Sequence, residues 1–72
     1  MTTQQANELA NMPIKTEVDW KFGLITRTIF RLRENLYQIH DFSSGWSTAT
    51  VYKDELINIL TGKLSLTELN WR

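Results

Sequence analysis

Cysteine is absent from the 72-residue chain, which excludes a disulfide framework, a thiolate nucleophile and any thiolate-held zinc. That composition suits a reducing compartment, and the cytoplasm is the expected location. Histidine occurs once, at His40, so one chain cannot assemble a multi-histidine metal site. The three glycines, Gly23, Gly45 and Gly62, lie too far apart for a phosphate-cradling loop, and Gly62-Lys63 has no upstream glycine at P-loop spacing. No apolar run approaches the roughly 20 residues of a membrane span. The opening MTTQQANELANM carries neither a basic nor an apolar region and does not read as a signal peptide. An excess of charge is lacking too: eight Lys plus Arg balance eight Asp plus Glu. That neutrality argues against a nonspecific polyanion binder. No cofactor is expected.

What is present is core material, with 42% hydrophobic residues, three Trp, two Tyr and three Phe. A chain this short makes one domain with a thin core, because it buries only about 60% of its unfolded surface. A deep catalytic cavity is therefore not expected. Residues 1–13 read as a flexible or weakly helical segment, with a helix over 4–11 capped by Thr3 and only Leu9 and Met12 to dock. Residues 14–72 read as a single α+β domain.

From Ile14 the pattern alternates, with Ile14, Thr16, Val18, Trp20, Phe22 and Leu24 at even positions and Lys15, Glu17, Asp19 and Lys21 at odd ones. Period two predicts a half-buried strand, with a bend at residues 21–23. Residues 24–33 (LITRTIFRLR) also fit a helical stripe, but their β-branched and aromatic content and the lack of an N-cap favour a strand. Glu34-Asn35 reads as a hairpin turn in which Asn tolerates positive φ. Residues 36–42 and 46–52 follow as strands around a Ser43-Ser44-Gly45 turn. Asp54 is placed to cap a helix through Thr61 that has Leu56, Ile59 and Leu60 on one face and Gly62 as its C′ residue. Ser65 and Glu68 make a capping box for a last turn carrying Leu66, Leu69 and Trp71. The fold class is α+β, a small antiparallel meander of three to four strands with a helix after the last strand packed on one face.

A tight turn sets the register on both sides of it. Pairing Arg33 with Leu36 places Leu32 beside Tyr37 and Phe30 beside Ile39, and pairing Phe42 with Trp46 places Ile39 beside Ala49 and Tyr37 beside Val51. The expected core face is thus Phe30, Leu32, Tyr37, Ile39, Ala49 and Val51. The opposite face carries Arg31, Arg33, Gln38, His40, Thr48 and Thr50, flanked by Phe42, Trp46 and Tyr52, with Ile29 beside His40. Lys21, Arg27, Arg31 and Arg33 against Glu34 give residues 21–40 a net charge of +3, which favours this face as a binding surface. Arg and aromatics suit a protein interface, and the same mixture suits single-stranded DNA or RNA. A solvated face stabilised by cross-strand pairs has the same appearance.

Chemistry is sparse. His40 and Asp41 fall on opposite faces of a strand, and Ser43 and Ser44 are turn formers without a nucleophile elbow. Glu17 with Asp19, and Asp54 with Glu55, read as a solvated strand face and a helix start. Trp20 is expected in the core and Trp46 on the surface. The expected function is a non-enzymatic interaction protein, a regulator or inhibitor that binds another protein through the Arg and aromatic face, with a homodimer as a further expectation. The alternative is a small nucleic-acid binder using the same face.

Overall fold

The computed structural model describes residues 1–22, 25–41 and 47–72. Helix α1 (Thr3–Ala10) leads into four strands, β1 (Glu17–Phe22), β2 (Ile25–Arg33), β3 (Leu36–Asp41) and β4 (Ser47–Tyr52), then helix α2 (Lys53–Leu60) and a 3₁₀ turn at Leu66–Glu68. The strands form one antiparallel sheet in the order β1-β2-β3-β4. The fold is the α+β meander that the period-two pattern predicts, and residues 25–33 are strand. Among the described residues no helix is long and apolar enough to cross a membrane.

The helices and the C-terminal segment cover one face. Ile29, Tyr37, Ile39, Ala49 and Val51 of the sheet are buried with Ala6 and Ala10 of α1 and Leu56, Ile59 and Leu60 of α2. Val18, Trp20, Leu64, Leu66, Leu69 and Trp71 pack around this core. Helix α1 starts one residue earlier than expected and is capped by Thr2 rather than Thr3: Gln5 N–H donates to Thr2 Oγ1 and Thr2 N–H to Gln5 Oε1. Leu9 and the following Met12 pack against the core as expected, and the helix docks closely because Ala6 and Ala10 are fully buried beneath it.

Helix α2 also starts before the expected Asp54 cap. Its first N–H, on Lys53, donates to Asn35 Oδ1 in the β2–β3 turn, so Asp54 and Glu55 lie in the first turn, where the helix dipole favours them. The helix ends at Gly62 with φ +83°. Gly62 N–H donates to the Ile59 carbonyl and Lys63 N–H to that of Asn58, the paired bonds of a Schellman motif. The Ser65 and Glu68 capping box forms as the spacing predicts.

The β2 register differs from expectation by one residue. Arg33 does lie opposite Leu36, but a bulge intervenes, so Arg31 faces Tyr37, Ile29 faces Ile39 and Phe30 faces Gln38. Leu32 is the extra residue. Among the described non-glycine residues only Lys15 has positive φ, so the Glu34-Asn35 turn is not of the primed type whose twist matches a hairpin. The adjacent bulge restores the strand twist. The β2 side chains from Thr28 to Arg31 change face: Ile29, expected outside, is fully buried, while Phe30, expected in the core, lies on the opposite face. The β3–β4 register, with Ile39 opposite Ala49 and Tyr37 opposite Val51, is the expected one.

Candidate functional site

The bulge removes Arg31 from the candidate surface. It is 9% exposed and lies among the buried residues of the helix-covered face. Its Nη1 donates to the Met12 carbonyl at 2.6 Å, Nη2 to that of Glu34 at 2.7 Å and Nε to that of Arg33 at 3.3 Å. The guanidinium stands 5.6 Å from the centre of the Tyr37 ring. Arg27 is likewise turned inward, 2.9 Å from Asp41 Oδ2. The positive middle segment therefore does not make a basic outer face, because two of its four cations hold the fold together.

The open face is set by cross-strand rows instead. Glu17, Phe30, Gln38 and Thr50 make one row and Asp19, Thr28, His40 and Thr48 the next. Glu17, Asp19, Thr28, Phe30, Gln38 and His40 line a shallow depression of about 520 Å³. Thr28 Oγ1 donates to Asp19 Oδ1 at 2.8 Å, and His40 Nε2 lies 3.3 Å from Gln38 Oε1. Arg33, Leu36 and Tyr52 form a third row at the hairpin end, with Arg33 exposed and Tyr52 60% exposed. Gln38, His40, Thr48 and Thr50 thus share a face as expected, and Arg33 and Tyr52 border it. Phe42 and Trp46, expected at its margin, lie outside the described residues, as do the Gly23 bend and the Ser43-Ser44-Gly45 turn.

Sequence reasoning missed Glu17, Asp19, Thr28 and Phe30. The first two were on the polar side of the β1 alternation. Only the pairing of Glu17 with Phe30 and Asp19 with Thr28 brings them beside β3. The face that results is acidic at β1, hydroxyl-rich at β4 and aromatic at Phe30. Carboxylates repel phosphates, so the arrangement suits a cationic or neutral partner better than a nucleic acid. Among the described residues no three His, Asp or Glu side chains cluster as metal ligands.

Beneath the opposite face, Arg27 and Asp41 sit with Ser47, Leu66, Thr67 and Trp71 around a second depression of about 330 Å³. Trp71 Nε1 donates to the Leu66 carbonyl at 2.8 Å, which ties the C-terminal segment into its own turn. Residue 72 then reaches β4, where Arg72 and Thr48 exchange both backbone hydrogen bonds, at 2.9 and 3.0 Å. Comparison of the chain with protein-family models, with curated proteins and with solved structures finds no match.

Proposed function

We propose that the chain is a small non-enzymatic interaction protein of the cytoplasm that regulates or inhibits another protein by binding it on the open sheet face. The observation that carries this reading is the depression in which Phe30 stands between Glu17 and Asp19 on one side and Gln38 and His40 on the other. An apolar ring beside two carboxylates fits a segment that offers an apolar side chain next to a Lys or Arg. The cysteine-free composition supports the compartment.

The test has two stages. The full chain, immobilised through its amino terminus, captures proteins from cells that express it, and each captured protein is purified and its direct binding measured. The double variant Glu17→Lys, Asp19→Lys should weaken direct binding at least tenfold while leaving the circular dichroism spectrum unchanged. Undiminished binding by this variant would overturn the reading. Tighter binding of a single-stranded oligonucleotide than of any protein would replace it with the nucleic-acid alternative.

A further inference from the structure

The two edges of the sheet are built differently. Edge β1 carries Glu17, Asp19 and Lys21 and is preceded by a bulge at Lys15 and Thr16, both of which are devices that discourage strand addition. Edge β4, Ser47–Tyr52, has no charged residue, proline or glycine. Because Thr48 directs its backbone N–H and C=O away from β3 toward Arg72, the period of two directs those of Thr50 the same way. Antiparallel continuation of the Thr48–Arg72 pair would set Asn70 against Thr50, yet no hydrogen bond joins them. The gap between the two segments, about 310 Å³, is lined by Thr48, Thr50, Asn70 and Arg72. The C-terminal residues therefore start a fifth strand and do not complete it.

We propose that β4 is a homodimerisation edge, pairing antiparallel with β4 of a second copy about a two-fold axis at Thr50, and that residues 70–72 compete for the same edge. A two-fold axis there matches the free donor and acceptor of Thr50 with their own symmetry mates. In that register Thr48 meets Tyr52 and Ala49 meets Val51, so every pair is hydroxyl or apolar and no like charges face each other. The occupant is a second copy because the uncharged strand meets itself without like charges and Thr50 puts both a free donor and a free acceptor on the axis, while Tyr52 N–H stays with Glu55 Oε1. A single strand pair buries much less than the roughly 1,200–2,000 Å² of a stable interface. The expected dissociation constant is therefore weak, on the order of 10–100 µM.

Thr50 shares the open face with Glu17 but stands at its other edge, outside the Phe30 depression, so self-association and partner binding are read by separate measurements. Sedimentation of the full chain should show a concentration-dependent monomer–dimer equilibrium. Thr50 is exposed, so Thr50→Lys and Thr50→Glu fold normally, and each alone should be monomeric because like charges meet on the axis. An equimolar mixture of the two should form the heterodimer. Arg72→Pro, which removes the N–H that donates to Thr48 without touching the core, should tighten the wild-type dimer about tenfold. Dimers of Thr50→Lys alone, or a mixture that stays monomeric, would overturn the pairing. An unchanged dissociation constant for Arg72→Pro would overturn the competition.

Discussion

Arg31 and Tyr37 face each other directly across β2 and β3, and together they hold the C-terminus of α1. The Tyr37 hydroxyl donates to the Ala10 carbonyl, and Arg31 Nη1 donates to that of Met12. Helix α1 has no basic residue in its last turn, so the cation beside its C-terminal end comes from the sheet, bonded to Met12 just past the C-cap Asn11. The bulge at Leu32 makes this possible, because it turns Arg31 inward at the point where the helix ends.

Arg31→Ala should destabilise the protein by about 2–4 kcal/mol, since it leaves the carbonyls of Met12, Arg33 and Glu34 without their donor and opens a cavity beside Tyr37. Arg31→Lys keeps the charge but not the planar fork that reaches three carbonyls, and about 1–2 kcal/mol should be lost. Urea unfolding followed by tryptophan fluorescence reads both values. Equal stability of the lysine variant and the wild type would show that the fork geometry contributes nothing.

Burial pushes the Tyr37 phenol above its ordinary value of 10.0, and the Arg31 guanidinium opposes part of that rise. Well below about pH 10 the phenol is neutral in both folded and unfolded chains and stability does not depend on it. Above that pH the unfolded chain loses the proton first, so stability should fall as pH rises toward the folded-state pKa. Tyr37→Phe removes this dependence and also the bond to Ala10, so it should be about 1–2 kcal/mol less stable at pH 7. Its stability should fall less steeply than the wild type's between pH 10 and 11. Parallel stability curves over that interval would contradict the buried phenol.

Lys15 has φ +64°, in the left-handed region where a side chain costs about 1 kcal/mol and glycine costs little. The Thr16 N–H to Pro13 carbonyl bond closes a turn with Lys15 at its third position, and Lys15 and Thr16 together oppose Arg31 in the β1 bulge. Lys15→Gly should therefore stabilise the protein by about 0.5–1 kcal/mol. For a domain of this size that is a rise in melting temperature of roughly 2–8 °C, readable by calorimetry. A lower melting temperature would mean that the lysine side chain contributes more than its backbone conformation costs.

The features legible in the sequence are those written in local chemistry. The β1 alternation, the Gly62 stop and the Ser65 and Glu68 box each depend on residues a few positions apart, and each appears where its pattern puts it. The β3–β4 register was legible because the three-residue spacing between Phe42 and Trp46 sets Ile39 opposite Ala49 and Tyr37 opposite Val51, and the alternation of both strands agrees with it. The bulge at Leu32 was not, because it has no glycine to mark it and arises from the twist of a turn that itself lacks positive φ. One unmarked residue exchanged the faces of β2, and the basic surface inferred from Arg31 went with it. Arg33, beyond the bulge, kept its place opposite Leu36. The acidic contribution of Glu17 and Asp19 was hidden for a different reason, since it depends on which strand β1 pairs with and so on contacts about ten residues apart.

The neighbouring pair Ile29 and Phe30 offers a direct measurement of that register. Ile29 is fully buried opposite Ile39, whereas Phe30 stands half-buried on the open face opposite Gln38. Ile29→Ser places a hydroxyl in an apolar core and leaves a cavity, for an expected loss of about 3–4 kcal/mol. Phe30→Ser removes a ring that water already reaches on one side, and about 1 kcal/mol should be lost. The uninterrupted hairpin register reverses the order of the two values. Urea midpoints of the two variants, measured side by side, therefore tell whether Leu32 is bulged out: the larger loss at Ile29 requires the bulge, and the larger loss at Phe30 would return Arg31 to the open face.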